Sequence, residues 1–163
     1  MLKVNIKIFL FNFAIVLLIF LLDRASKIYV LSLAELGNTV DIYLTSYLNI
    51  YLIWNKGIAF GLLSFDKNLI YNTITVVIIL VTALIFFMIL KANGLQKYSL
   101  LCILSGSLGN LFDRVYFSAV PDFIDFHIYG YHWFIFNVAD IFISLGVICL
   151  IFAEMFVNKE IDD

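Results

Sequence analysis

Four stretches of the chain, roughly 6–28, 69–90, 98–117 and 133–156, run apolar with few interruptions. Each has the ~20 residues that an α-helix needs to cross the hydrocarbon of a bilayer. Between the first two the pattern changes period. From 39 to 53 the even positions read Val40, Ile42, Leu44, Ser46, Leu48, Ile50 and Leu52, and the odd ones Thr39, Asp41, Tyr43, Thr45, Tyr47, Asn49, Tyr51 and Ile53. Alternation of this kind predicts extended strand, folded as a hairpin bent near Thr45–Ser46. A sheet edge in hydrocarbon would leave backbone groups unsatisfied, so this sheet is expected at the membrane–water interface, where tyrosine rings meet headgroups. Trp54-Asn55-Lys56-Gly57 then signals a turn before the apolar run Ile58–Leu63. The pattern predicts an all-α membrane protein. It is expected to be a four-transmembrane-helix bundle, a single integral membrane domain over 1–163, with a small external β-sheet at the outer interface.

Composition narrows the class. With 64% hydrophobic and 13% charged residues and a mean hydropathy of +1.06, the chain lacks the polar surface of a soluble domain and is too apolar for disorder. Ten Lys and Arg against twelve Asp and Glu argue against a nucleic-acid binder. Cys102 and Cys149 fall inside apolar runs and read as small hydrophobes.

The basic residues suggest a direction. Lys3, Lys7, Lys91, Lys97 and Lys159 flank the spans on one side. Placing them inside puts both termini in the cytoplasm and the connections 29–68 and 118–132 outside. Arg24, Lys27, Lys56, Lys67 and Arg114 then lie on or near the outer side, several beside acids. The first span resembles a secretory signal, but no small-x-small cleavage pattern follows it, so it is expected to remain as a first helix.

The charges inside the spans carry the chemistry, because each is costly to bury there. Roughly 24 Å of helix separates Lys7 from Asp23 and Lys97 from Asp113, and roughly 28 Å separates Asp140 from Lys159. Three carboxylates from three helices are therefore expected in one layer toward the outer leaflet. Asp23 and Lys27 form an i,i+4 pair, Asn110, Asp113 and Arg114 fall within about a turn, and Asn137 and Asp140 share a face at i,i+3. The plainer reading of Asp23, Lys27, Asp113 and Arg114 is a set of paired charges joining helices. Asp140 differs, since its own helix offers no cation nearby. Paired with Asp122 or Asp125 from the connection 118–132, it would give two carboxyls sharing a proton, the arrangement of an aspartic protease. A serine mechanism is weaker. Ser105-Gly106-Ser107-Leu108-Gly109 reads as close helix packing, and His127 and His132 lie in or beside the external loop. No His/carboxylate cluster with ligand spacing stands out; the histidines read as interface or surface residues, and neither metal nor organic cofactor is expected.

Five motifs in order resemble those of the bacterial lipoprotein signal peptidases, the type II signal peptidases. Asp23-Arg24-Ala25-Ser26-Lys27 resembles their D-x-x-[ST]-K box, and the run from Asn55 to Gly61 their N-x-G-x-A-[FW]-[GS] box. The run from Gly109 to Arg114 resembles G-N-x-x-D-R, that from Val120 to Ile124 V-x-D-F, and that from Phe136 to Asp140 F-N-x-A-D. The resemblance implies an aspartic endopeptidase of the bacterial inner membrane, with its active site toward the periplasmic leaflet. It would remove signal peptides from prolipoproteins on the N-terminal side of a diacylglyceryl-modified cysteine. By this likeness Asp122 and Asp140 are the catalytic pair, and Asn55 and Arg114 position the peptide or the inhibitor globomycin. Asp23, Lys27, Gly109, Asn110, Asp113 and Asn137 support the site, and the segment of about 39–63 is the family's external β segment, lying on the membrane beside the cleft. The implied partners are lipidated prolipoproteins and membrane lipids. Pro121 departs from the aliphatic residue expected there, and Asp125 is an additional acid close to the pair. The competing class is a non-enzymatic protein, a small transporter subunit or helix-bundle adaptor, in which the same charges would only glue helices together.

Overall fold

The computed structural model describes residues 5–35, 39–57, 68–129 and 131–157. Their order is α1 (Ile6–Glu35), β1 (Asp41–Thr45), β2 (Leu48–Asn55), α2 (Asn68–Lys91), α3 (Gly94–Phe117), β3 (Val120–Ile128), β4 (Tyr131–Phe136) and α4 (Val138–Phe152), closed by a π-helical turn over Ala153–Val157. Helices α1 and α2, and α4 with its continuation to Met155, are long and apolar enough to cross a membrane. Much of their surface is exposed Leu, Ile, Val and Phe, the side chains a bilayer solvates.

Helix α3 is the hub against which α1, α2 and α4 all pack. It carries polar groups along its length, including Ser99, Ser105, Asn110, Asp113 and Arg114. The Ser99 and Ser105 hydroxyls donate to the carbonyls of Leu95 and Leu101, four residues back, at 2.9 and 2.6 Å. Its small residues set the approach to α4. A Cβ on Gly106 would collide with the Ala139 carbonyl, and one on Gly146 would lie 2.7 Å from the Ser99 carbonyl oxygen. This is the packing use of small residues expected of the 105–109 run. Below it, Ile89, Ala92, Leu100, Leu101, Ile103 and Leu104 form an apolar core.

The sheet is four-stranded and antiparallel throughout, in the order β1-β2-β3-β4. The first hairpin bends at Ser46–Tyr47, close to the expected position, and Tyr43, Tyr47 and Tyr51 are exposed. The second hairpin departs from expectation. The segment 133–136, assigned above to the fourth span, is strand, and α4 begins only at Val138. The aromatic and β-branched run before Asn137 suits strand as well as span, and the capping residue marks the change. The connection 118–132 is therefore largely sheet. Pro121 pairs with Trp54 of β2 at the end of β3 where β4 has not yet joined, since that ladder starts at Ile124–Phe136. Its missing N–H thus removes no bond toward β4. Helix α1 runs seven residues past its expected end, and α3 starts at Gly94, leaving only Ala92 and Asn93 between helices. The part of the external segment from 58 to 63 lies outside the described residues. Val30 of α1, Val40 and Phe123 join the sheet to the bundle.

Candidate active site

Two groups of buried carboxylates sit side by side above the apolar core. The first joins α1 to α3. Lys27 Nζ donates to Asp23 Oδ2 (3.0 Å), Asp113 Oδ2 (2.7 Å) and Asn110 Oδ1 (3.0 Å). Arg24 donates to both oxygens of Asp113 at 2.5 and 2.7 Å and to Asp23 at 2.7 Å. Two aspartates thus meet two cations, with Asp23, Lys27 and Asp113 almost wholly buried. The bidentate Arg24–Asp113 contact is the strong form of this bond. Asp23 does one thing more: its Oδ1 accepts from the Ala139 backbone N–H at 3.1 Å, placing a negative charge at the N-terminus of α4, where the helix dipole favours it. Gly109 lets this happen, because a Cβ there would lie 2.6 Å from Asp23 Oδ2.

The second group lies where β3 and α4 converge. Asn137 caps α4 through a reciprocal box. Its side chain accepts from the Asp140 N–H at 3.1 Å, and Asp140 Oδ2 accepts from the Asn137 N–H at 3.2 Å. The free amide edge of Asn137 donates to Asp122 Oδ1 at 2.6 Å. Asn55, at the end of β2, donates to Asp122 Oδ2 at 2.9 Å, and Asn110 donates to Asp140 Oδ1 at 2.8 Å. Asp122 and Asp140 are buried, and among the described residues neither is in an ion pair. Burial pushes the Asp122 carboxyl up to about 6, and the charge of Asp140 adds to the rise. The bonds from Asn55 and Asn137 and the charge of Lys27 act in the opposite direction. Asn110 links the two groups, accepting from Lys27 and donating to Asp140.

Arg114 leaves the ion cluster, contrary to its plainer reading. It is buried, donates through Nη2 to the Gly57 carbonyl, and lies 5.7 Å from the Tyr71 ring centroid. Its Nη1 has no hydrogen-bond partner among the described residues. Asn55 orders the same corner by accepting from the Gly57 N–H at 2.8 Å. Asp125 pairs with His132, whose Nδ1 lies 2.8 Å from Asp125 Oδ2. His127, expected at the interface or the surface, is buried beside them. Sequence reasoning passed over Arg24 as a site residue, because neighbours at i and i+1 do not share a helical face. The long guanidinium arm nonetheless reaches back to Asp23 and across to Asp113.

The sequence profile of the signal peptidase (SPase) II family matches residues 15–156. A lipoprotein signal peptidase of Pelagibacter ubique (strain HTCC1062) is 54% identical over 158 residues, covering 97% of this chain and 95% of that protein. One from Francisella tularensis subsp. novicida (strain U112) is 37% identical over 155 residues, covering 91% and 93%. A solved bacterial membrane enzyme, obtained by the in meso method at 2.3 Å resolution, superposes with a TM-score of 0.70 at 27% identity, covering 88% of this chain and 87% of that one. A second such structure, at 1.9 Å, gives 0.68 at 27% identity, covering 89% and 92%.

Proposed function

The chain belongs to the signal peptidase II family, and from that premise we propose that Asp122 and Asp140 are the catalytic pair of a membrane aspartic endopeptidase that removes signal peptides from prolipoproteins. The observation that carries the assignment is the pair itself: two buried carboxylates bonded to amides rather than to cations, with Asp122 raised to about 6. Two such groups share one proton. The ionised member takes a proton from a water held between them, and the hydroxide attacks the scissile carbonyl carbon. The protonated member donates to the carbonyl oxygen as it gains charge. Collapse of the tetrahedral intermediate breaks the C–N bond, and the leaving nitrogen recovers the proton taken from water. No metal or organic cofactor enters this scheme.

Substrate geometry follows from the surroundings. Arg114 Nη1 is a donor buried without a described partner, and Asn55 holds the turn at Gly57; both suit the placing of a peptide backbone or a globomycin-type inhibitor. A groove of about 780 Å³ among α1, α2 and α3, lined in part by Phe9, Phe13, Ile79, Phe86 and Leu104, suits the apolar segment of a signal peptide. We read α3 as a fourth span and both termini as cytoplasmic. The pair then lies toward the outer leaflet of the bacterial inner membrane, where the diacylglyceryl chains of the substrate cysteine remain among membrane lipids while its peptide bond reaches the carboxyls.

The test is cleavage of a purified prolipoprotein with and without its diacylglyceryl group. The lipidated precursor is expected to be cut far faster, with the modified cysteine as the new N-terminus. Equal rates for the two precursors, or a cut elsewhere, would overturn the substrate reading.

A further inference from the structure

Nothing in the peptidase scheme uses the cluster at the outer part of the β3–β4 hairpin. Asp125 and His127 are two residues apart on β3, and His127 stands opposite His132 of β4. One ligand atom from each of the three lies within 4.8 Å of the others. His132 Nδ1 is 2.8 Å and His127 Nδ1 3.7 Å from the same Asp125 oxygen. In a tetrahedral shell with metal–nitrogen bonds of about 2.0 Å, ligand atoms sit roughly 3.3 Å apart, so these separations bracket the required spacing.

An ion pair between Asp125 and His132 would account for two of the three residues but not for His127. That residue is 9% exposed, and its Nδ1 has no hydrogen-bond partner among the described residues. At 3.7 Å it is too far from Asp125 for a hydrogen bond, yet it faces the same oxygen. A buried polar atom without a partner calls for a ligand or an explanation. His132 is 56% exposed at its side chain, which gives an ion a path in and leaves a coordination position open to water.

We propose that Asp125, His127 and His132 form a site for a borderline divalent transition-metal ion of the Zn²⁺ class, held by two imidazoles and one carboxylate. Two nitrogen ligands select this class over Mg²⁺ or Ca²⁺, which prefer all-oxygen shells. The ion cross-links the two strands of a hairpin whose base carries the catalytic machinery: β3 holds Asp122, and β4 leads into Asn137. Asp122 is five residues from His127, roughly 16 Å along the strand, so the ion acts as a staple outside the reacting atoms.

The full-length protein, purified in detergent and stripped with a chelator, is titrated with Zn²⁺ by calorimetry, a readout independent of peptidase activity. One ion per chain is expected to bind with a dissociation constant in the micromolar range or below, and excess Mg²⁺ or Ca²⁺ should not displace it. His132→Ala, at an exposed position, should weaken binding by at least about tenfold, and His127→Ala by at least as much. Co²⁺ bound to the unaltered protein should show the visible absorption of a tetrahedral site, and His132→Ala should lose it. Absence of stoichiometric binding to the unaltered protein, displacement by Ca²⁺, or unchanged affinity in His132→Ala would overturn the proposal.

Discussion

Two pairs of aspartates are buried in this molecule, linked through Asn110, and are neutralised in opposite ways. Asp23 and Asp113 meet Lys27 and Arg24 at 2.5–3.0 Å, so their charge is cancelled on the spot. Among the described residues, Asp122 and Asp140 meet the side-chain amides of Asn55, Asn110 and Asn137 and the backbone N–H of Asn137, and neither is in an ion pair. Amides satisfy the lone pairs but bring no countercharge, so proton gain and loss remain available to the second pair. The first pair is fixed by its cations and serves as a rivet between α1, α3 and the start of α4. Burying a charge is not itself a sign of catalysis; what neutralises it decides.

The comparison can be broken most severely at Lys27, which serves three acceptors at once. Lys27→Met should lower stability by about 3–5 kcal/mol, the loss seen when one partner of a buried ion pair is removed. Thermal unfolding in detergent checks this, and a shift within error would mean the cluster is not a rivet. Asn137→Ala should slow turnover by about 100-fold through misplacement of Asp122 and Asp140, and the lost cap should cost about 1 kcal/mol. Unchanged turnover would remove Asn137 from the site.

A third prediction concerns pH. The Asp122 carboxyl stands at about 6 in the folded protein against about 3.9 unfolded. Between these values the folded state holds the proton that the unfolded chain releases. Stability from this group is therefore complete below about pH 4, declines as pH rises to about 6, and is flat beyond. Asp122→Asn should gain on the parent by up to about 3 kcal/mol across that window. A difference in unfolding free energy that stays level from pH 4 to 7 would contradict the raised carboxyl. The smallest effect is expected for Gly109→Ala, whose Cβ meets a carboxylate that Lys27, Arg24 and Ala139 hold in place. Overpacking there should cost about 1–3 kcal/mol, readable as a lowered unfolding midpoint.

Much of this was legible in the chain where one signal dominates. Helix α2 lies within one residue of its expected bounds, because a mostly apolar run without charged residues ends on Lys91. The first hairpin forms where the period-two alternation of the sequence places it, although β1 is exposed at every position. The start of the second hairpin was hidden because β3 is buried at four successive positions, Val120–Phe123, which erases alternation there. The Asp125–His127–His132 cluster was hidden because its residues come from two different strands. Its ligand spacing is meaningful only once 125–128 is strand and the chain has turned back at Tyr131. Charge depth along the helices placed Asp23 and Asp113 together, but it could not show that Arg114 would turn to Gly57 while Arg24 took its place.

The central claim is that the amide-bonded pair, not the cation-bonded one, activates water. It is tested most directly by single-turnover cleavage of a lipidated prolipoprotein by Asp122→Asn, Asp140→Asn and Asp113→Asn, each normalised to protein inserted in the membrane. Asp122→Asn and Asp140→Asn are each expected to lose at least about 1,000-fold in rate, while the inserted fraction of Asp113→Asn keeps most of its activity. Cleavage by either Asp122→Asn or Asp140→Asn at the parent rate would contradict the account.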